Sequence, residues 1–178
     1  MSIVFNKDNS KFASIGNYGS SISIWDSKSF TISNSIGTKG FLLKELVFSP
    51  KGWELIAITT DCSLRFYDTR VKGGQLIRNV TNAHRGSVTT FSFSNNSEYF
   101  ITGGQDHIVK LWDSDVNLET GQTQASPYYF QSFIGHTYPV QKVIFNPNNN
   151  TQCISVGGKD GIYLWKFFGD VSIKELPE

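Results

Sequence analysis

The chain has 178 residues, 39% hydrophobic and 14% aromatic, enough for a core that buries roughly 70% of the unfolded surface. Sixteen Lys and Arg nearly cancel fifteen Asp and Glu, and the charged share of 17% lies below the roughly 25% of average domains. With no long run of one sign and plentiful aromatics, this balance excludes a basic nucleic-acid grip, an acidic tail and a disordered chain.

Apolar residues come in short runs of period two, separated by Gly, Asn, Asp, Ser and Pro. Such runs predict an all-β chain of hairpins. In chain order the predicted strands are 2–6, 11–15, 21–25 and 29–33, then 43–48, 54–58, 63–67 and 75–79. They continue with 87–93, 99–103, 108–113 and 128–133, and end with 139–145, 152–156, 161–167 and 171–174. These sixteen strands fall into four units, approximately 1–34, 42–80, 83–133 and 135–175, with the polar stretch 114–127 as a loop insertion.

The units repeat one another. Shifting the segment Phe91 to Asp113 back by 45 places Leu46-Val47-Phe48-Ser49-Pro50 on its start and Asp61 on Asp106. The same shift places Leu64-Arg65-Phe66-Tyr67-Asp68 on Val109-Lys110-Leu111-Trp112-Asp113. Val143-Ile144-Phe145 and Ile162-Tyr163-Leu164-Trp165 continue the frame forward, and Ile3-Val4-Phe5 and Ile22-Ser23-Ile24-Trp25-Asp26 extend it backward. The closing aromatics Trp25, Tyr67, Trp112 and Trp165 stand 42, 45 and 53 residues apart.

This frame resembles the WD-repeat family. The resemblance covers nearly the whole chain and rests on Ala83-His84 with Leu111-Trp112-Asp113, and on Gly135-His136 with Leu164-Trp165-Lys166. It implies an all-β fold of four WD-repeat blades, each of four antiparallel strands, in a partial, open propeller or part of a larger one. First strands should be apolar on both faces, between neighbouring blades and the central channel. The family usually closes seven blades, with one blade shared by the two termini. This chain runs from a first strand to a fourth, so the remaining blades are expected from another chain or segment.

In the third repeat, His84, Thr102, Asp106 and Trp112 match the family's structural tetrad, in which acid, imidazole, hydroxyl and indole satisfy one another. His, Asp and a hydroxyl also make a hydrolase set. The repeat spacing and the Trp favour the structural role, and the chain is read as non-enzymatic. In the fourth repeat His136, Ser155 and Trp165 fit, but Lys159 takes the acid position with Asp160 one place late, so that tetrad is expected to be shifted or broken. The second repeat keeps Asp61 but has Ala57 and Tyr67, with no preceding His. One blade should therefore be pinned by a tetrad and three held mainly by apolar packing.

Other features read as structural. His107 should be an exposed turn residue. Gly103-Gly104 and Gly157-Gly158 end second strands and are not phosphate loops. Cys62 and Cys153 lie too far apart in sequence to signal a metal or disulfide framework, and no cofactor is expected. The sequons at Asn79, Asn95 and Asn149 fit chance in an Asn-rich chain. No signal peptide or apolar run of membrane length is present.

The resemblance implies a rigid protein-binding platform whose binding residues sit on blade-end loops: Thr60, Arg85, Ser87, Gln105, Tyr138, Gln141 and Lys159. Arg and Tyr dominate interface hot spots, so Arg85 and Tyr138 are the anchors. The last blade resembles C-terminal blades of large centriolar and ciliary WD-repeat proteins, which implies a cytoplasmic or cytoskeletal scaffold with tubulin or ciliary partners. The alternative is a substrate receptor of a cullin-RING ubiquitin ligase. For that reading Asp61, Tyr67, Asp68 and Arg70 resemble the box that docks such receptors on the ligase adaptor.

Overall fold

The computed structural model describes residues 2–38, 40–114 and 129–167. Blade 1 holds β1 (Ile3–Phe5), β2 (Lys11–Gly16), β3 (Ser21–Asp26) and β4 (Ile32–Gly37). Blade 2 holds β5 (Leu43–Phe48), β6 (Glu54–Thr59), β7 (Leu64–Asp68) and β8 (Gln75–Val80). Blade 3 holds β9 (Val88–Phe93), β10 (Tyr99–Gly104), β11 (Ile108–Asp113) and β12 (Tyr129–Ile134). Blade 4 shows β13 (Val140–Asn146), β14 (Asn149–Gly157) and β15 (Ile162–Lys166). Every pairing is antiparallel between sequence neighbours, so each blade is a meander. The predicted strand 171–174 and positions 115–127 of the insertion lie outside the described residues.

One predicted strand moves. The expected 29–33 strand is β4, which starts only at Ile32. The cause is the Asp26 carboxylate, which accepts the amides of Lys28 and Ser29 at 3.0 and 2.8 Å. Phe30 then turns back with φ +54°, so residues 27–31 form the turn.

Successive blades meet in three apolar joints. Ala13, Ile22, Ile24 and Ile36 of blade 1 pack on Leu46, Phe48, Leu55, Ala57 and Tyr67 of blade 2. Ile56, Ile58, Leu64 and Phe66 of blade 2 pack on Val88, Phe91, Phe100 and Trp112 of blade 3. Ile101, Val109 and Leu111 of blade 3 pack on Val143, Phe145 and Cys153 of blade 4. Each Val, Leu, Ile or Phe among them contributes about 1.5–3 kcal/mol when fully buried.

This arrangement corrects the expectation for first strands. In β5, Leu43, Leu46 and Phe48 are buried while Lys44 is exposed; in β13, Val140, Val143 and Phe145 are buried while Gln141, Lys142 and Ile144 are exposed. Full burial belongs to second and third strands of blade 2. Every residue of β6 is buried, because alternate side chains feed opposite joints: Leu55 and Ala57 one, Ile56 and Ile58 the other.

A charged clamp reinforces the middle joint. Arg78 donates to Glu54 Oε1 at 2.6 Å and to the Ser114 carbonyl at 2.9 Å, and its guanidinium lies 4.1 Å from the Phe66 ring centroid. Both side chains are almost fully buried. The clamp thereby ties β6 and β8 of blade 2 to the end of β11 in blade 3.

Candidate functional site

The turn between the second and third strands shares one feature in blades 2, 3 and 4. An Asp is followed by a residue in the left-handed region: Asp61 by Cys62 (φ +62°), Asp106 by His107 (φ +67°), Asp160 by Gly161 (φ +89°). Cys62 and His107 are non-glycine residues in an uncommon conformation, and each takes it at the same place in its turn. His107 is half-buried rather than exposed.

In blade 3 this turn carries a closed chain of hydrogen bonds. Trp112 Nε1 donates to Thr102 Oγ1 at 2.8 Å, so the hydroxyl donates its own proton to His84 Nε2 at 2.7 Å. His84 Nδ1–H then donates to Asp106 at 2.8 Å. The Arg85 amide donates to the other carboxylate oxygen at 3.0 Å. Burial lowers the His84 pKa, and the attraction of Asp106 only partly opposes it. Burial pushes the Asp106 carboxyl up, but the Arg85 amide and His84 more than offset this and hold it below its ordinary value. Thr102 is fully buried and its hydroxyl is spent on Trp112 and His84, so it is not presented as a nucleophile.

Glycine makes this geometry fit. A Cβ on Gly104 would stand 2.4 Å from His84 Nδ1 and 2.5 Å from Asp106 Oδ1. One glycine of each pair, Gly104 and Gly157, is there because the His–Asp pair passes over it.

In blade 4 the tetrad is shifted, not broken, which is the first of the two outcomes expected from the sequence. His136 Nε2 meets Ser155 Oγ at 2.7 Å, Trp165 Nε1 donates to the same oxygen at 2.7 Å, and His136 Nδ1 lies 3.1 Å from Asp160 Oδ2. The displacement is absorbed inside the turn. Ten residues separate hydroxyl from Trp in both blades, and the acid with its left-handed successor merely sits one place later. The amides of Thr137 and Tyr138 also donate to Asp160. Burial pushes this carboxyl up, but the Thr137 amide and His136 outweigh it and bring it down to about 2. The Gly161 after Asp160 was the signal in the sequence.

Blade 2 uses different residues, which sequence reading missed. Arg65 donates to Thr59 Oγ1 at 2.6 Å and to both oxygens of Asp61 at 3.1 and 2.8 Å, and Thr59 donates to Asp61 as well. The guanidinium sits 3.5 Å from the Phe41 ring centroid. Its bonds to Asp61, joined by that of Thr59, overcome burial and hold the carboxyl far below the usual range. Arg65 thus bridges acid and hydroxyl as histidine does elsewhere. Blade 1 keeps one link, from Trp25 Nε1 to Ser14 Oγ at 2.9 Å. Polar networks therefore pin blades 2, 3 and 4, and packing alone does not carry three of the four.

The rim residues named from sequence fall into two close groups. Arg85, Ser87 and Gln105 surround Gly86 in blade 3, where the Ser87 amide donates to Gln105 Oε1 at 3.3 Å and Lys44 donates to Ser87 Oγ at 3.0 Å. Tyr138, Gln141 and Lys159 surround Gly158 in blade 4, with the Lys159 ammonium 5.9 Å from the Tyr138 ring centroid. Thr60 is exposed in blade 2, and its amide donates to the Leu42 carbonyl. Asp106 and Asp160 turn inward to histidines and amides, so the charges this rim presents at its named positions are Arg85 and Lys159, both exposed.

The four box residues do not act as one group. Asp61 belongs to the Arg65 network, and Tyr67 packs in the first joint with its hydroxyl pKa raised by burial. Arg70 is 62% exposed but held by Asp68 at 2.6 Å, over the Trp53 ring at 4.0 Å. Asp68 also accepts the Arg70 amide, so this pair caps the end of β7. Burial pushes the Cys153 thiol up to about 12, which marks it as inert packing.

Four-stranded meanders joined face to face, with His–hydroxyl–Trp–Asp chains at the joints, define a β-propeller segment. The WD domain, G-beta repeat profile matches residues 74–113. WD repeat-containing protein 90 of Xenopus tropicalis is 32% identical over 147 residues, 82% of this chain and 7% of that protein. The Ribosome biogenesis protein WDR12 homolog of Anopheles gambiae is 32% identical over 141 residues, 78% of this chain and 30% of that protein. Cilia- and flagella-associated protein 52 of Homo sapiens is 25% identical over 126 residues, 71% of this chain and 18% of that protein. The chain belongs to the WD-repeat family. It spans less than a third of the length of these relatives.

Proposed function

We propose that the chain is a non-enzymatic protein-interaction scaffold that grips an acidic segment of a partner on the rim of blades 3 and 4. The observation that carries this is the inward turn of Asp106 and Asp160, which leaves Arg85 exposed on blade 3 and Lys159 exposed near the Tyr138 ring on blade 4. Arg and Tyr supply interface anchors, and a carboxylate-rich segment would pair with the two cations. The neighbouring Gln105, Gln141, Ser87 and Thr60 offer hydrogen bonds to its backbone. The setting we infer is a microtubule-based structure such as a cilium or centriole, with tubulin among the partners; the relative named for cilia and flagella supports it. A ribosome-assembly setting is the second reading, favoured by the higher identity of the relative named for ribosome biogenesis.

Affinity purification of the tagged chain with mass spectrometry tests both parts. An Arg85→Glu/Lys159→Glu variant should lose the main partners while keeping its melting point. A partner set unchanged by that variant removes the rim as the binding site. Tubulin and ciliary proteins among the captured set support the first setting; ribosome-assembly factors support the second. Capture of a cullin adaptor that is lost on Arg70→Ala would replace both with the ligase reading.

A further inference from the structure

The two outer faces of the described blades are uncovered. On blade 1, Ile3, Phe5, Phe30 and Ile32 are exposed, and Phe5 is 53% accessible. On blade 4, Ile144, Ile154, Ile162 and Leu164 are exposed, and Leu164 is 60% accessible. Apolar surfaces of this kind mark contact sites.

These faces are the two halves of a joint already present in the molecule. On blade 3, the register aligns Phe93, Phe100 and Trp112 across β9, β10 and β11. Phe100 stacks on Trp112 at 5.8 Å with 9° between planes. On blade 1, the register aligns Phe5, Phe12 and Trp25 across β1, β2 and β3. Phe12 stacks on Trp25 at 5.7 Å with 2° between planes. The ladder is the same, residue type for residue type, but blade 3 has its ladder covered and blade 1 does not.

What covers the ladder of blade 3 is the aliphatic face of blade 2. There Val47, Ile56 and Phe66 form one cross-strand row, and Ile58 and Leu64 the next. Blade 4 presents the matching rows on its uncovered face: Ile144, Ile154 and Leu164, then Val156 and Ile162. Four of the five positions are aliphatic in both blades, and at the fifth Leu164 takes the place of the aromatic Phe66.

We propose that this face of blade 4 packs on the aromatic ladder of blade 1 in a second copy of the chain. The joint would repeat the one between blades 2 and 3. Because each copy carries one face of each kind, two copies form two identical joints and close a ring of eight blades, within the range that propellers use. Closure would bury both apolar ends at once.

The test is the solution mass of the full chain by light scattering and analytical ultracentrifugation. Twice the 19.9 kDa chain mass is expected. Leu164→Asp and Phe12→Asp should each halve the mass and leave the far-ultraviolet circular dichroism unchanged, since both positions lie on uncovered faces. Mixing the two variants should restore a dimer through the one joint that both still support. A wild-type monomer, an open-ended polymer, or a dimer that survives either substitution would overturn the proposal. A variant that lost its circular dichroism would be replaced by Leu164→Lys and Phe12→Lys, read by the same mass and the same mixing experiment.

Discussion

Blade 2 and blade 3 hold the same turn with different chemistry. In blade 3 the link between acid and hydroxyl is His84; in blade 2 it is Arg65. The substitution is coupled to a second one. Gly104 in blade 3 corresponds to Thr59 in blade 2, 45 positions earlier. Histidine crosses that position and excludes a Cβ; without histidine there is room, and Thr59 fills it with a hydroxyl that serves the network. The lesson is that the turn Asp and its left-handed successor are the constant part. The donor that neutralises the acid can change, provided the strand end changes with it.

The largest break in this comparison should come from glycine. A Cβ on Gly157 would lie 1.8 Å from Asp160 Oδ1 and 2.6 Å from His136 Nδ1. Gly157→Ala should therefore open the blade 4 tetrad and cost about 3 kcal/mol, since buried polar groups lose their partners. Urea denaturation measures it. Thr59→Gly in blade 2 should cost about 1 kcal/mol, because it removes hydrogen bonds and adds backbone freedom without a clash. Equal losses at the two sites would break the coupling between histidine and glycine.

Arg65→Met comes next. It leaves Asp61 and Thr59 without their cation but keeps a chain of similar length in the joint. Asp61 is 43% exposed and can rehydrate, so the loss is set at about 2 kcal/mol rather than the larger cost of orphaning a fully buried charge. A melt unchanged by this substitution would mean that blade 2 rests on packing alone.

The indoles separate covered from uncovered faces. Trp112 is buried in the middle joint, whereas Trp25 is half-buried on the open face of blade 1. Trp112→Phe removes the donor to Thr102 and leaves a gap, at a cost of about 1.5–2 kcal/mol. Trp25→Phe should cost under about 1 kcal/mol in the isolated chain, where water reaches the site. If two copies associate, the Trp25→Phe cost should rise with protein concentration, which ties stability to the proposed joint.

Much of this was legible in the sequence because the blade frame is carried by alternation, and alternation survives substitution. The blade 3 tetrad was readable for the same reason: four residue types stand at fixed offsets. Asp160 was legible as an acid one place late, but counting positions left both a shifted and a broken tetrad open, because the turn is fixed by which residue enters the left-handed region. Arg65 was invisible because a charged residue at its position in β7 also fits a solvent-facing side chain. Its role depends on Phe41 and Asp61, which only folding brings beside it. The burial of first strands was overestimated because polar residues interrupt them, Lys44 in β5 and Gln141 and Lys142 in β13, and because Ile144 lies on the uncovered face of blade 4.

Acid sharpens the contrast between the two networks. His84 binds its proton less readily in the fold than in the unfolded chain, because burial outweighs the pull of Asp106. Below the ordinary 6.5 the unfolded chain therefore holds more protons, and stability falls as pH drops through the window beneath that value. Asp106 and Asp160 act later: both are held below 3.8, so their contribution persists until the medium passes below that value. The blade 2 network of Arg65, Thr59 and Asp61 contains no histidine, so it adds nothing to the first step. Urea midpoints taken between about pH 7.5 and about pH 5 should fall for the natural chain and flatten for His84→Gln. Hydrogen-exchange protection factors, corrected for the intrinsic rate at each pH, should fall first at Thr102 and Trp112 over the same range, while Thr59 and Arg65 keep their protection. A uniform fall across blades 2 and 3 would place the acid-sensitive group outside the tetrad.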